Sequence, residues 1–181
     1  MIEIKLGPAI RRLREGQGLS LRALGEATGF SASFLSQVEN GQASPSIASM
    51  ERIALALGVT LGEFFTAAQG DSSAVTRADA RPTLHSQWSR AQMEALGTGG
   101  NDQGFVSMLV TLEPGGSSGK RPYASMGEEF ALVQEGTVEL TLDQAEQTLG
   151  PGDAVTIRRG VLRRWHNPGE QPARILIVAR H

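Results

Sequence analysis

Five cationic side chains, Lys5, Arg11, Arg12, Arg14 and Arg22, fall within the first 22 residues, against two acidic ones, Glu3 and Glu15. A local excess of three positive charges on a compact module suits a surface that meets nucleic-acid phosphates. The whole chain carries a net charge of −2. Taken alone, that figure argues against a nucleic-acid partner, because phosphate neutralisation supplies most non-specific affinity. The distribution of charge matters more than its sum. No cysteine occurs, so disulfides and thiolate metal sites are excluded and a reducing compartment is compatible.

The elements that must carry these charges are legible in the hydrophobic pattern. The 181 residues, 40% apolar and 20% charged, suit a packed core in one large or two small domains. Up to about residue 66 the apolar period is helical, and after about 103 it alternates as in strands. Helix one is predicted from Leu6 to Glu15, with Leu6, Ile10 and Leu13 on one face and Gly16 and Gly18 ending it. Helix two follows the N-cap Ser20 and turns Leu21 and Leu24 inward. Gly29 makes the turn, and helix three starts after the cap Ser31 and ends at Gly41. Helix four follows Pro45-Ser46 with a stripe of Ile47, Met50, Ala54 and Leu57, closed by Gly58. Thr60-Leu61-Gly62-Glu63 has the capping-box pattern of a short fifth helix carrying Phe64 and Phe65.

Residues 67–76 are small and polar and read as a linker between a head at 1–66 and a second domain at 77–181. Around Trp88, Met93 and Leu96 the pattern allows either a short helix or an irregular strand pair. Beyond that the chain reads all-β. Strands are expected at Phe105–Leu112, Glu129–Gln134, Thr137–Leu142, Ala154–Ile157 and Arg174–Ala179, the second and third joined as a hairpin about Glu135-Gly136. Short strands with Gly/Pro turns suggest a small barrel or jelly roll. Many of the 22 glycines fall in this half.

Helices two and three with the turn at Gly29 have the shape of a helix-turn-helix, in which the second helix enters the major groove and its first residues meet base edges. The stretches Leu19–Gly29, Phe34–Gly41, Pro45-Ser46 and Ile53–Val59 resemble the Xre family of phage-repressor-like regulators, over roughly residues 6–65. The resemblance implies a lambda-repressor-like head of five helices that binds double-stranded DNA. It also implies roles. Ala32, Ser33 and Gln37 match base-facing positions, and a Gln amide can bond adenine through two hydrogen bonds. Arg22, Asn40 and Ser46 match backbone-contact positions that set register. Arg14 and Glu39 match a buried ion pair between helices one and three. Arg11 and Arg12 read as a solvated face with some phosphate attraction.

Residues 103–181 resemble a cupin, an all-β double-stranded β-helix, through Gly127-Glu128-Glu129-Phe130, Val133, Glu135-Gly136, Gly150-Pro151-Gly152-Asp153 and Asn167-Pro168-Gly169. Metal-binding cupins supply three histidines and a glutamate. At those positions this chain has Tyr123, Ser125, Arg163 and the retained Glu129. Arg stays protonated and Ser is a poor ligand. His166, at an odd offset from Arg163, falls on the other strand face, and His85 and His181 lie outside the motif. The expectation is no metal, no cofactor and no catalysis.

Two readings of the barrel remain. In one, Arg163 neutralises Glu129 and the barrel only dimerises the protein. In the other, Tyr123, Ser125, Glu129 and Arg163 form a polar pocket for a zwitterionic metabolite such as an amino acid, Arg taking the carboxylate and Glu the ammonium. The expected function is a dimeric, sequence-specific transcriptional regulator that binds a palindromic operator and responds to a small metabolite. The alternatives are a metal-dependent cupin enzyme with an auxiliary head, or a protein-interaction adaptor. With no apolar run near the ~20 residues of a membrane span and no long apolar N-terminal stretch, the chain reads as cytoplasmic.

Overall fold

A computed structural model describes residues 2–66, 75–97 and 105–180. The head contains α1 (Leu6–Gly16), α2 (Leu21–Thr28), α3 (Ala32–Glu39), α4 (Ile47–Ala56) and α5 (Leu61–Thr66). Three of these begin at serines whose hydroxyls accept a backbone N–H three residues on: Ser20 from Ala23, Ser31 from Phe34 and Ser46 from Ser49. Each cap satisfies a donor that the first helical turn leaves orphaned. Gly29 ends α2 in the left-handed region at φ 67°, which turns the chain sharply enough for α3 to start three residues later. Ile10, Leu24, Leu35, Met50, Ile53 and Phe64 form a sealed core behind this turn.

The second half is built from two sheets. The larger has the order β1-β2-β3-β4-β11-β6-β9 and the smaller β5-β10-β7-β8. The strands are β1 (Ile2–Glu3), β2 (Pro82–Ser86), β3 (Ala91–Ala95), β4 (Val106–Leu112), β5 (Tyr123–Ala124), β6 (Glu128–Glu135), β7 (Val138–Leu142), β8 (Ala145–Leu149), β9 (Ala154–Ile157), β10 (Leu162–His166) and β11 (Ala173–Arg180). Alternate residues of β4, β6, β10 and β11 point into the space between the sheets.

Three features differ from the sequence-based expectation or resolve it. Glu135-Gly136 does not close a hairpin: β6 pairs with β9 and β11, whereas β7 pairs with β8 and β10. The turn carries the chain from one sheet to the other. Its glycine has φ 75° and lies so close to Pro172 and Ala173 that a Cβ would meet their backbone at 2.8 Å. The stretch around Trp88 and Met93 is a strand pair, β2 with β3, preceded by a 3-10 turn at 78–80. The expected linker at 67–76 lies outside the described residues except for 75 and 76.

The two halves touch directly. β1, at the N-terminus, pairs in parallel with β2 of the second half, and Ile4 N–H donates to Thr83 O at 2.8 Å. The start of α4 is also fastened to the β domain. Ser86 Oγ donates to Pro45 O at 2.7 Å, Ile47 N–H to Ser89 Oγ at 3.1 Å and Ala48 N–H to Ser118 O at 2.9 Å.

Candidate DNA-reading helix and barrel cavity

The exposed side of α3 carries Ala32, Ser33 and Gln37, all open to solvent. Its opposite side is fixed by an ion-pair network. Arg14 Nε and Nη2 donate to the two Glu39 carboxylate oxygens at 2.6 and 3.0 Å, and Arg14 Nη1 donates to Leu19 O at 2.7 Å. Both side chains are buried. The Glu39 hydrogen bond raises the Arg14 pKa against the pull of burial. Burial works to raise Glu39, but hydrogen bonds from Arg14 and Arg11 hold it below the ordinary carboxylate value. The bidentate fork therefore clamps α3 against α1 with every strong donor used.

The network extends to the surface. Arg11 Nε reaches Glu39 at 3.2 Å and Arg11 Nη2 donates to Asn40 Oδ1 at 2.7 Å. Arg11 thus orients Asn40, a role that its position on a solvated face did not reveal. Arg22 is exposed and pairs one turn along with Glu26 at 3.1 Å, a weak surface contact that a phosphate can replace. Ser46 differs from the other expected backbone-contact residues. It is buried, its hydroxyl accepts from Ser49 N–H at 3.2 Å, and the helix end it caps is held by the β domain. In this arrangement Ser46 serves as the N-cap of α4.

The barrel brings Tyr123, Ser125, Glu129 and Arg163 together. Ser125 Oγ donates to Glu129 Oε1 at 2.7 Å. Arg163 Nε and Nη2 donate to Glu129 Oε2 and Oε1, both at 2.6 Å. The guanidinium carbon lies 4.5 Å from the centre of the Tyr123 ring. Burial works against the Arg163 charge, yet Tyr123, Glu51 and Glu129 around it hold its pKa above the ordinary value. Burial also pushes the Tyr123 hydroxyl up, so it stays protonated. His166 sits on the other face of β10, with Nδ1 2.9 Å from Glu139.

This donor set does not fit a cupin metal ion. Glu129 is the one carboxylate at the four ligand positions, and both its oxygens are engaged by a guanidinium that stands where a third histidine would. Tyr123, Glu129 and Arg163, but not Ser125, line a cavity of about 280 Å³ whose walls include Met108, Val110, Leu112, Ile175 and Ile177.

One functional-looking residue escaped the sequence analysis. Glu51, on α4, projects into the cavity and meets Arg163 Nη2 with both oxygens, at 3.0 and 3.1 Å. Its signal was present in the sequence. Ile47 and Ala54 stand one turn on either side of it, so an acid interrupts an otherwise apolar stripe. Such a residue needs a buried partner.

A helical head with a clamped, outward-facing third helix and a β-barrel with an enclosed polar cluster define a two-domain regulator architecture. The Helix-turn-helix family model matches residues 10–64, and the Cupin domain model matches residues 108–179. The chain therefore carries an Xre-like helix-turn-helix domain followed by a cupin domain.

Two curated relatives share that plan. HTH-type transcriptional regulator PuuR of Escherichia coli (strain K12) is 27% identical over 172 residues, covering 94% of this chain and 91% of PuuR. HTH-type transcriptional regulator SutR of the same organism is 28% identical over 167 residues, covering 92% and 89%. A crystal structure of an HTH_3 family transcriptional regulator from Vibrio cholerae superposes with a TM-score of 0.74 at 25% identity, covering 98% of this chain and 96% of that one. The protein is a DNA-binding transcriptional regulator rather than an enzyme. Among the described residues no helix is long and apolar enough to cross a membrane.

Proposed function

We propose that the protein is a homodimeric, sequence-specific regulator that reads a palindromic operator through α3 and responds to a small molecule in its metal-free cupin cavity. The observation that carries the DNA reading is the clamped geometry of α3. Arg14 and Glu39 hold its inner side, while Ala32, Ser33 and Gln37 stay exposed on the other. Gln37 is the base reader, Ser33 reaches a base or phosphate, and Ala32 meets a thymine methyl. Arg22 and Asn40 hold the backbone. The head ends near residue 66 and the cupin domain begins near 77.

The dimer forms through the outer face of the large sheet. There Phe130, Leu132, Leu176 and Val178 are only partly covered, and Phe130 is 43% exposed. Leu132 pairs with Leu176 and Phe130 with Val178 across β6 and β11, which makes one continuous apolar patch suited to a second copy. Two heads held this way read half-sites about one helical turn, roughly 34 Å, apart or a multiple of it. Acting on bacterial DNA, the protein works in the cytoplasm.

Fluorescence anisotropy at physiological salt, with promoter fragments recovered from a genome-wide footprint and with scrambled duplex, tests this reading. Two protomers per cognate fragment, and a clear preference over scrambled sequence, are expected. Equal affinity for both duplexes would remove the regulator function.

A further inference from the structure

One wall of the barrel cavity belongs to the head. Ile47, Glu51, Ala54 and the α4–α5 turn close it, and the Glu51 carboxylate crosses the domain boundary to Arg163. We propose that this cavity binds a small monocarboxylate with an apolar body, and that Glu51 is its built-in competitor, so that acid binding and docking of the head on the barrel oppose each other. This deepens the effector reading above and rests on it.

The spare polar capacity of the cavity defines the ligand class. Arg163 Nη1 and Trp165 Nε1 are buried donors that find no hydrogen-bond partner among the described residues, and both residues line the cavity. Arg163 is 4% exposed and Trp165 3%. The Glu129 oxygens already accept from Ser125 and twice from Arg163. The cavity therefore has donors to spare, and its two carboxylates, Glu129 and Glu51, are both already engaged by Arg163. The zwitterionic amino acid expected from the sequence gives way to a plain acid. The walls of Met108, Val110, Leu112, Ile175 and Ile177 suit an aliphatic or aromatic body. A volume of about 280 Å³ lies just below the roughly 300–1,000 Å³ of small-molecule sites, which limits the ligand to a small acid.

Glu51 is an imperfect occupant of the place an acid would take. Both its oxygens crowd one nitrogen, Nη2, and leave Nη1 bare. A free carboxylate can instead straddle Nη1 and Nη2 in the fork geometry that guanidinium favours. Charge then disfavours sharing. Glu129 and Glu51 already face Arg163, and the other cation on the cavity lining, Arg159, is exposed, so a third carboxylate would be poorly compensated. Burial also raises the Glu51 pKa, against the pull of Arg163 and with Glu129 adding to the rise.

Displacing Glu51 acts on the head as a whole. The same helix, α4, is bound to the barrel through Pro45, Ile47 and Ala48. Pushing α4 outward strains these contacts and uncovers Ser46, the position the Xre pattern assigns to a DNA-backbone contact. Acid binding and DNA affinity are thereby coupled through a difference between two states.

The test uses the full-length protein and isothermal titration with hexanoate and phenylacetate, and with hexylamine and leucine as counter-probes, against wild type, Glu51→Ala and Arg163→Lys. The acids are expected to bind Glu51→Ala at least about tenfold more tightly than wild type, to lose affinity in Arg163→Lys, and to outcompete both counter-probes. A spin-label pair at Ala27→Cys and Gln147→Cys, both exposed sites in a chain without native cysteine, reads the head–barrel distance. Saturating acid should broaden or lengthen it in wild type. Equal acid affinity in wild type and Glu51→Ala would overturn the competition while leaving an effector site in place. Binding of hexylamine or leucine instead of the acids would overturn the ligand class. Silence from every probe, with DNA affinity unmoved, would bring down the effector reading itself.

Discussion

Two buried arginine–glutamate pairs of the same chemistry occur in this chain, and they differ in what is left over. In the head, Arg14 and Glu39 meet through two hydrogen bonds, and the third guanidinium nitrogen is taken by Leu19 O. In the barrel, Arg163 and Glu129 also meet through two hydrogen bonds, but Nη1 has no partner among the described residues and Nη2 is shared with Glu51 from the other domain. A satisfied pair fixes geometry. A pair with a bare donor beside a cavity retains the capacity to bind something. The two sites teach that ion-pair chemistry alone does not separate a strut from a receptor; the unsatisfied remainder does.

The sharpest way to break this comparison is to remove one member of the closed pair. Arg14→Ala leaves Glu39 charged and buried and should destabilise the head by about 3–5 kcal/mol. Arg14→Leu with Glu39→Met, which removes both charges, should recover most of that loss. Denaturant melts followed by far-UV circular dichroism measure both. If the single substitution cost under about 1 kcal/mol, the pair would be no strut.

A smaller effect separates the clamp from the reader it holds. Gln37→Ala alters only the exposed side of α3, so folding stability should move by no more than about 0.5 kcal/mol. Operator affinity should fall by about 1–3 kcal/mol, with specificity relaxed at one base position. Arg22→Ala should instead weaken cognate and scrambled duplex about equally and lower the salt slope by about one. An equal loss on all sequences for Gln37→Ala would move the reading role elsewhere on α3.

Much of this contrast is already written in the sequence, because local chemistry sets most of it. Ser20, Ser31 and Ser46 mark the starts of α2, α3 and α4 to the residue, since capping is decided within one turn of chain. The residues of the barrel cluster were legible only through the resemblance to cupins, since Tyr123 and Arg163 lie on β5 and β10, where no strand was expected. Long-range pairing was not. β6 and β7 look like a hairpin because each alternates and a glycine divides them, and no local signal says that they join different sheets. β8 was missed since Ala145–Leu149 is mostly exposed and has no apolar face. The partner of Glu51 lies 112 residues away, so the acid in the apolar stripe of α4 signalled a buried charge without naming Arg163.

The mildest test exploits the opposite directions in which the two sites move their carboxylates. Glu39 lies below the ordinary carboxylate value when folded. Its contribution to stability is present above the unfolded pKa and is lost as pH falls through the lower, folded one. Glu51, facing Arg163, Glu129 and Tyr123, lies above the ordinary value. Its contribution is fully present below the unfolded pKa and is lost as pH rises through the raised, folded one. Glu51→Gln should therefore match wild type in melting temperature at the acid end of the folded range. It should gain on wild type as pH climbs from the ordinary carboxylate value through the raised one. Glu39, untouched in both proteins, contributes the same acid-side loss to each, so the difference between the two melting curves isolates Glu51. A difference that shrank with rising pH would mean that ionised Glu51 strengthens docking. The barrel pair would then be as closed as its counterpart in the head.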